Sequence, residues 1–210
     1  MCAMPSKLVL TAPTLRTLAF AALMTSAAAT AASPLIDSCA DCHGKDGAST
    51  ESDVPIIAGL SNDYLVSTME EYRDGERPCA ESKYRCGDTS RPATDMCKIA
   101  KSMSGAELTE VAAHFSALPF VRAKQTVDPA QVAIGKKVHE LHCEKCHADG
   151  GSSKDDDSGI LAGQWMPYLE ASLKEYAEGT RTPPKKMKPK IDELSADDRN
   201  ALLQFYGSFQ

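Results

Sequence analysis

Apolar residues recur at near-helical spacing along most of this chain, and no stretch alternates for long enough to suggest a strand. Tyr64, Leu65, Thr68, Met69 and Tyr72 fall on one helical stripe, with Ser61 or Asn62 as N-cap and Gly75 as a stop. A counterpart runs from Met166 to Ala177. Ser104 with Glu107 has the form of a capping box opening a helix through Leu118, and Ser195 with Asp198 repeats it for a helix through Tyr206. Val132 to His142 predicts a further helix, whereas only Pro34 to Ser38 are available before Cys39. Pro119 closes one helical set, and Phe120 to Asp128 reads as a linker. The expectation is an all-α protein.

The two sets are copies. At an offset of 104, Ala58-Gly59, Tyr64-Leu65, Tyr72, Gly75 and Arg77 become Ala162-Gly163, Tyr168-Leu169, Tyr176, Gly179 and Arg181. Beyond Arg77 the offset falls to 91, pairing Met96 and Ser104 with Met187 and Ser195, so the first copy carries 13 additional residues. This predicts a leader over residues 1–31, domains over 32–119 and 130–210, and a linker over 120–129. The leader has only Lys7 and Arg16 as charges, an apolar run from Leu15 to Ala32 and an Ala29-Thr30-Ala31 cleavage signal, so export to the periplasm and no membrane span in the mature chain are expected. Each copy has a thin core that a cofactor would complete.

The chain has 23 basic and 29 acidic side chains, and without the leader the formal charge moves from −6 to −8. An acidic surface argues against nucleic acid and favours basic protein partners. Lys185, Lys186, Lys188 and Lys190 form a local exception, readable as a docking patch or as a solvated face.

The repeat also carries chemistry. Cys39-Ala-Asp-Cys42-His43 and Cys143-Glu-Lys-Cys146-His147 are both CxxCH, the attachment signature of c-type haem. Cys39, Cys42, Cys143 and Cys146 would form thioethers, and His43 and His147 would supply proximal nitrogens. A zinc site built from two CxxC pairs is the competing reading, but it gives no reason for both pairs to end in histidine. Among the methionines only Met96 and Met187 match each other across the repeat, and both are expected in loops, as sixth iron ligands. Met69, Met103 and Met166 align with Leu173, Leu194 and Asn62, and read as packing residues. His114 and His139 read as surface or packed residues; Tyr64, Tyr168, Arg77 and Arg181 could approach haem propionates. Cys79, Cys86 and Cys97 belong to neither motif. A Cys79–Cys97 bond would clamp the inserted loop near Met96 and leave Cys86 over, with the other pairings open.

These motifs, with CEKCHADGG, ILAGQWMPYL (Ile160 to Leu169), MCKIAKSMS and AKQTVD (Ala123 to Asp128), resemble the dihaem class-I cytochromes c, and most of all the dihaem cytochrome subunit of flavocytochrome c sulfide dehydrogenase. The resemblance implies two tandem domains related by pseudo-twofold symmetry, two covalent haem c groups, His43 and Met96 on one iron, and His147 and Met187 on the other. It also implies a proline, Pro55, on the proximal side of the first haem, where the second copy has Gly159, and so different proximal hydrogen bonding at the two sites. The implied function is electron transfer, with no catalysis by this chain alone. Its donor would be a sulfide-oxidising flavoprotein subunit holding the only FAD, and its acceptor a soluble cytochrome c. A free periplasmic dihaem carrier serving a terminal oxidase or reductase is the alternative. Haem catalysis, as in a peroxidase or a thiosulfate-oxidising enzyme, would need an open sixth position.

Overall fold

The computed structural model describes residues 33–155 and 158–210. The expected leader and its cleavage signal lie outside these residues, as do Asp156 and Asp157. Among the described residues the secondary structure is helical, apart from one isolated antiparallel bridge between Ser82 and Thr94. The first half holds α1 (Pro34–His43), α2 (Asn62–Asp74), α3 (Met96–Ser102) and α4 (Gly105–Ser116). The second holds α5 (Pro129–His142), α6 (Ala148–Gly151), α7 (Met166–Ala177), α8 (Lys188–Glu193) and α9 (Ala196–Gly207).

Local hydrogen bonding sets these ends. Ser61 caps α2 by accepting from the Tyr64 N–H, and Gly75, left-handed at φ 77°, lets the chain turn back onto the Glu71 and Tyr72 carbonyls. Both capping boxes form: Ser104 with Glu107 opens α4, and Ser195 with Asp198 opens α9. The apolar faces then build one core per half. Leu65, Met103, Leu108, Val111 and Phe115 centre the first, and Leu169, Leu194, Leu202, Phe205 and Tyr206 the second. The pairs Met103/Leu194 and Phe115/Tyr206 keep the offset of 91 read from the sequence. In the second core α5 crosses α9 at Gly135, where any β-carbon would overlap the Ala201 backbone carbonyl.

Two expectations are corrected. A ten-residue helix, α1, does precede and include the first CxxCH, because Pro34 starts it and the motif itself stays helical. Met96 does not sit in a loop but is the first residue of α3, capped by Asp95, whereas Met187 lies, as expected, in the loop between helices, in the turn just before α8. Residues 120–128 form no helix and are held to the second half by hydrogen bonds. Ala123 N–H donates to the Gly163 carbonyl, and the Gln125 side chain binds the Gln164 carbonyl and the Met166 N–H.

The halves are joined by buried polar contacts. Gln164 is 2% exposed; its Oε1 accepts from the Ile56 N–H at 3.0 Å and its Nε2 donates to the Ile56 carbonyl at 2.9 Å. The Trp165 indole N–H donates to the Ser49 carbonyl at 2.9 Å. The same few residues of one half thus satisfy the backbone of the other, which a buried loop requires.

Candidate haem sites

In the first half, α1 carries the whole CADCH motif, so Cys39 and Cys42 lie one turn apart with His43 at the helix end. Cys39 packs on the first core, and burial pushes its thiol up to about 11. His43 is buried, and its Nδ1 lies 2.9 Å from the Pro55 carbonyl. A carbonyl only accepts, so Nδ1 carries the hydrogen and Nε2 is left with a lone pair, the state a metal-binding imidazole needs. Burial also moves the His43 pKa down, which favours that neutral ring. In the second half, α5 ends at His142 and the chain turns through Cys143–Cys146 before His147 caps α6. Cys143 packs on the second core beside Met187, and burial raises its thiol.

The two methionines differ in setting. Met187 packs against the second core, as Cys143 does, whereas Met96 is half-buried and is not among the residues packed on the first. Met103 is in the first core, and Met69 and Met166 pack against their cores, as expected of filling residues. The insert folds back onto the first motif. The Arg85 and Cys86 N–H groups donate to the Asp41 carbonyl, and Arg91 pairs with the Asp41 carboxylate. Cys79 and Cys97 are joined by a disulfide with Cα atoms 5.8 Å apart, which ties the base of the insert to α3 one residue after Met96. Cys86, expected to be left over, is also disulfide-bonded.

Between the halves lies a layer that the repeat made visible but could not arrange. Arg77 and Arg181 are 3% and 7% exposed. Arg77 donates to the Tyr168 hydroxyl at 2.8 Å, and Arg181 to Glu71 at 2.7 Å, each reaching the opposite half. Each guanidinium also stacks on its own half's tyrosine, Tyr72 or Tyr176. One nitrogen of each, Arg77 Nη1 and Arg181 Nε, is buried with no partner. Buried donors without acceptors are costly and rare. Two haem groups would meet this need, since each carries propionates that a guanidinium binds well. The residues present therefore fit haem on three counts: the free CxxCH thiols, the prepared His43 and the two orphaned guanidinium nitrogens. They fit the zinc reading poorly, because among the described residues the four CxxCH cysteines do not converge on one point.

Sequence reasoning passed over Gln164, Trp165, Glu71 and the role of His139. A signal for His139 was present: Val132, Gly135 and His139 fall at i, i+3 and i+7, on the face that α5 turns toward α9.

A helical chain with two haem-attachment motifs, one per packed core, is a c-type cytochrome that carries two covalently bound haem c groups. No protein-family model matches the chain. Over 154 residues it is 29% identical to cytochrome c4 of Azotobacter vinelandii, covering 69% of this chain and 70% of that one. Over 193 residues it is 28% identical to a thiosulfate dehydrogenase electron acceptor of Thiomonas intermedia, covering 85% and 79%. Shorter matches of 81 residues, 39% of this chain, are 31% identical to cytochrome c-554(548) of Halomonas halodenitrificans, covering 84% of it, and 33% identical to the cytochrome subunit of sulfide dehydrogenase of Chlorobaculum tepidum, covering 60%. The crystal structure of reduced cytochrome c4 from Pseudomonas stutzeri superposes with a TM-score of 0.67 at 25% identity, over 83% of this chain and 95% of that one. The chain belongs to the dihaem class-I cytochromes c, built as two tandem cytochrome domains. Among the described residues no helix is long and apolar enough to cross a membrane.

Proposed function

We propose that this cytochrome is an exported, periplasmic relay that takes electrons from a sulfur-compound dehydrogenase and passes them to a soluble cytochrome c. In this reading Cys39, Cys42, Cys143 and Cys146 hold the haems, His43 and His147 are the proximal ligands, and Met96 and Met187 the distal ones. The domains are residues 32–119 and 130–210. Bound haem c supplies a one-electron ferric/ferrous couple. The protein's own work is positional. Pro55 fixes the tautomer and direction of His43, α3 and α8 present the two methionines, and filled sixth positions keep substrates off the metal. The observation that carries the relay is the buried Arg77/Arg181 pair. Each guanidinium crosses the boundary between halves with a nitrogen left over, so carboxylates from both haems would meet at one interface, edge to edge.

Two donors fit. A flavoprotein subunit with FAD, oxidising sulfide, is supported by the motif resemblance and by the sulfide dehydrogenase subunit among the relatives. A free carrier is supported by the surface: among the described residues only Val121, Ile134 and Leu141 are large, apolar and exposed, too little for a permanent interface. Gentle purification from the native host, followed by a visible spectrum and addition of sulfide, separates them. Flavin beside two haems, with haem reduction by sulfide, establishes the flavoprotein partner. Haem alone, inert to sulfide and reduced on adding a thiosulfate-oxidising enzyme with its substrate, establishes the free carrier. Haem that neither system reduces refutes the sulfur-compound donor.

A further inference from the structure

One buried polar chain in the second half has no counterpart in the first. His139, 1% exposed, lies one helical turn before Cys143 on α5. Its Nδ1 is 2.9 Å from the Tyr206 hydroxyl, and its Nε2 meets the Glu144 carboxylate. The Tyr206 hydroxyl also lies against the Cys143 sulfur and interacts with it. Glu144, with its side chain 44% exposed, links the chain to solvent. At the repeat offsets, His139, Glu144 and Tyr206 correspond to Leu35, Ala40 and Phe115. The first haem site therefore has an apolar wall where the second has a tyrosine, a histidine and a carboxylate.

The hydrogen-bond inventory of this chain leaves it two states. The hydrogen bond from His139 holds the Glu144 carboxyl below the usual carboxylate range, so Glu144 is an acceptor and Nε2 carries a hydrogen. With a neutral ring, Nδ1 accepts the Tyr206 O–H, and the hydroxyl turns its lone pairs toward Cys143. With a protonated ring, Nδ1–H donates to the Tyr206 oxygen, and the hydroxyl hydrogen is released to face the sulfur. One proton on His139 thus reverses the dipole presented to the haem's point of attachment. Among the described residues no other group hydrogen-bonds the ring. Phe205 of α9 packs beside it, and Lys136, Glu140 and Asp149 line the shallow groove outside it. The Asp149 N–H is spent on Glu144, His142 pairs with Glu193 of α8, and the Lys190 charge acts on Cys143.

We propose that Glu144, His139 and Tyr206 form a proton-linked tuning element for the second haem alone. The protonated ring and the hydroxyl hydrogen turned toward Cys143 disfavour the more positive ferric form, and the neutral ring and the lone pairs turned toward Cys143 favour it. Adding one electron to this centre is accompanied by up to one proton bound at His139 from solvent. The second potential therefore falls with rising pH wherever the ring exchanges its proton, at most tenfold in the reduction equilibrium per pH unit, about 59 mV, while the first stays level. This rests on attachment of a haem at Cys143.

The test is a spectroelectrochemical titration of the dihaem protein across pH 5 to 9, with His139→Leu and Tyr206→Phe, each borrowed from the first half. The expected result is one sloping and one level potential in the parent protein, two level potentials in H139L and a reduced slope in Y206F. If H139L does not fold, Y206F decides alone. Equal slopes for both haems, no slope, or slopes unchanged in the variants overturn the proposal. A haem count of one per chain by pyridine haemochrome would remove the attachment beneath it, and is read separately from the slopes.

Discussion

Replacing Gln164 with alanine tests whether the two halves are held by a few buried polar contacts. The side chain satisfies three backbone groups at once: the Ile56 N–H, the Ile56 carbonyl and the Trp165 N–H. Ile56 is 1% exposed, so water does not replace them without local opening. Each orphaned group costs about 1–3 kcal/mol. Partial water entry offsets some of this, leaving an expected loss of about 3 kcal/mol, or roughly 6–12 °C in melting temperature for a chain of this size. The assay is thermal unfolding of the holoprotein, followed by circular dichroism and by the haem band. Gln164→Glu adds an internal control. Its Oε atoms still accept from both N–H groups, but a carboxylate cannot donate to the Ile56 carbonyl, whereas the protonated acid can. Burial raises the folded-state pKa of that carboxyl above its unfolded value of about 4.3. Stability of Q164E is therefore near the parent's below that pH and is lost as pH rises through the raised folded pKa. A loss in Q164A below about 0.5 kcal/mol, the range of neutral surface changes, or a Q164E variant whose deficit does not grow with pH, would refute the reasoning.

Other outcomes follow from the same contacts. Gly135→Ala places a methyl on the Ala201 backbone, and the overlap outweighs the gain in helix propensity; a net loss of about 1–3 kcal/mol is expected in denaturant titration. Replacing both Cys79 and Cys97 with serine loosens the base of the insert, lowers stability by about 3 kcal/mol for a loop of 18 residues, and, with Met96 as a proposed ligand, weakens the methionine–iron absorption band of one haem but not of both. With Met187 as the proposed sixth ligand, Met187→Ala opens one iron, and carbon monoxide is expected to bind one haem per reduced chain, where the parent binds none.

The residues nominated for haem were all legible in the sequence, because attachment chemistry is local: two thiols and an imidazole within five residues, written twice. Helix ends were legible for the same reason. Ser61, Ser104 and Ser195 act on N–H groups three residues away, and Gly75 needs only its own backbone freedom. The duplication gave the two-core plan and paired Met96 with Met187. It did not give the helical state of the first motif, since Leu35 to Ser38 carry too short a pattern to show it and the helix is held by packing on α4.

What the sequence could not show is where the two copies touch. Arg77 and Arg181 stand at equivalent positions, yet one meets a tyrosine and the other a glutamate across the boundary. Gln164 finds Ile56 from 108 residues away, and His139 finds Tyr206 from 67. A local pattern fixes which face of a helix is apolar. Only the packing of faces against each other decides which buried donor meets which acceptor, and here that packing makes the two haem sites unequal.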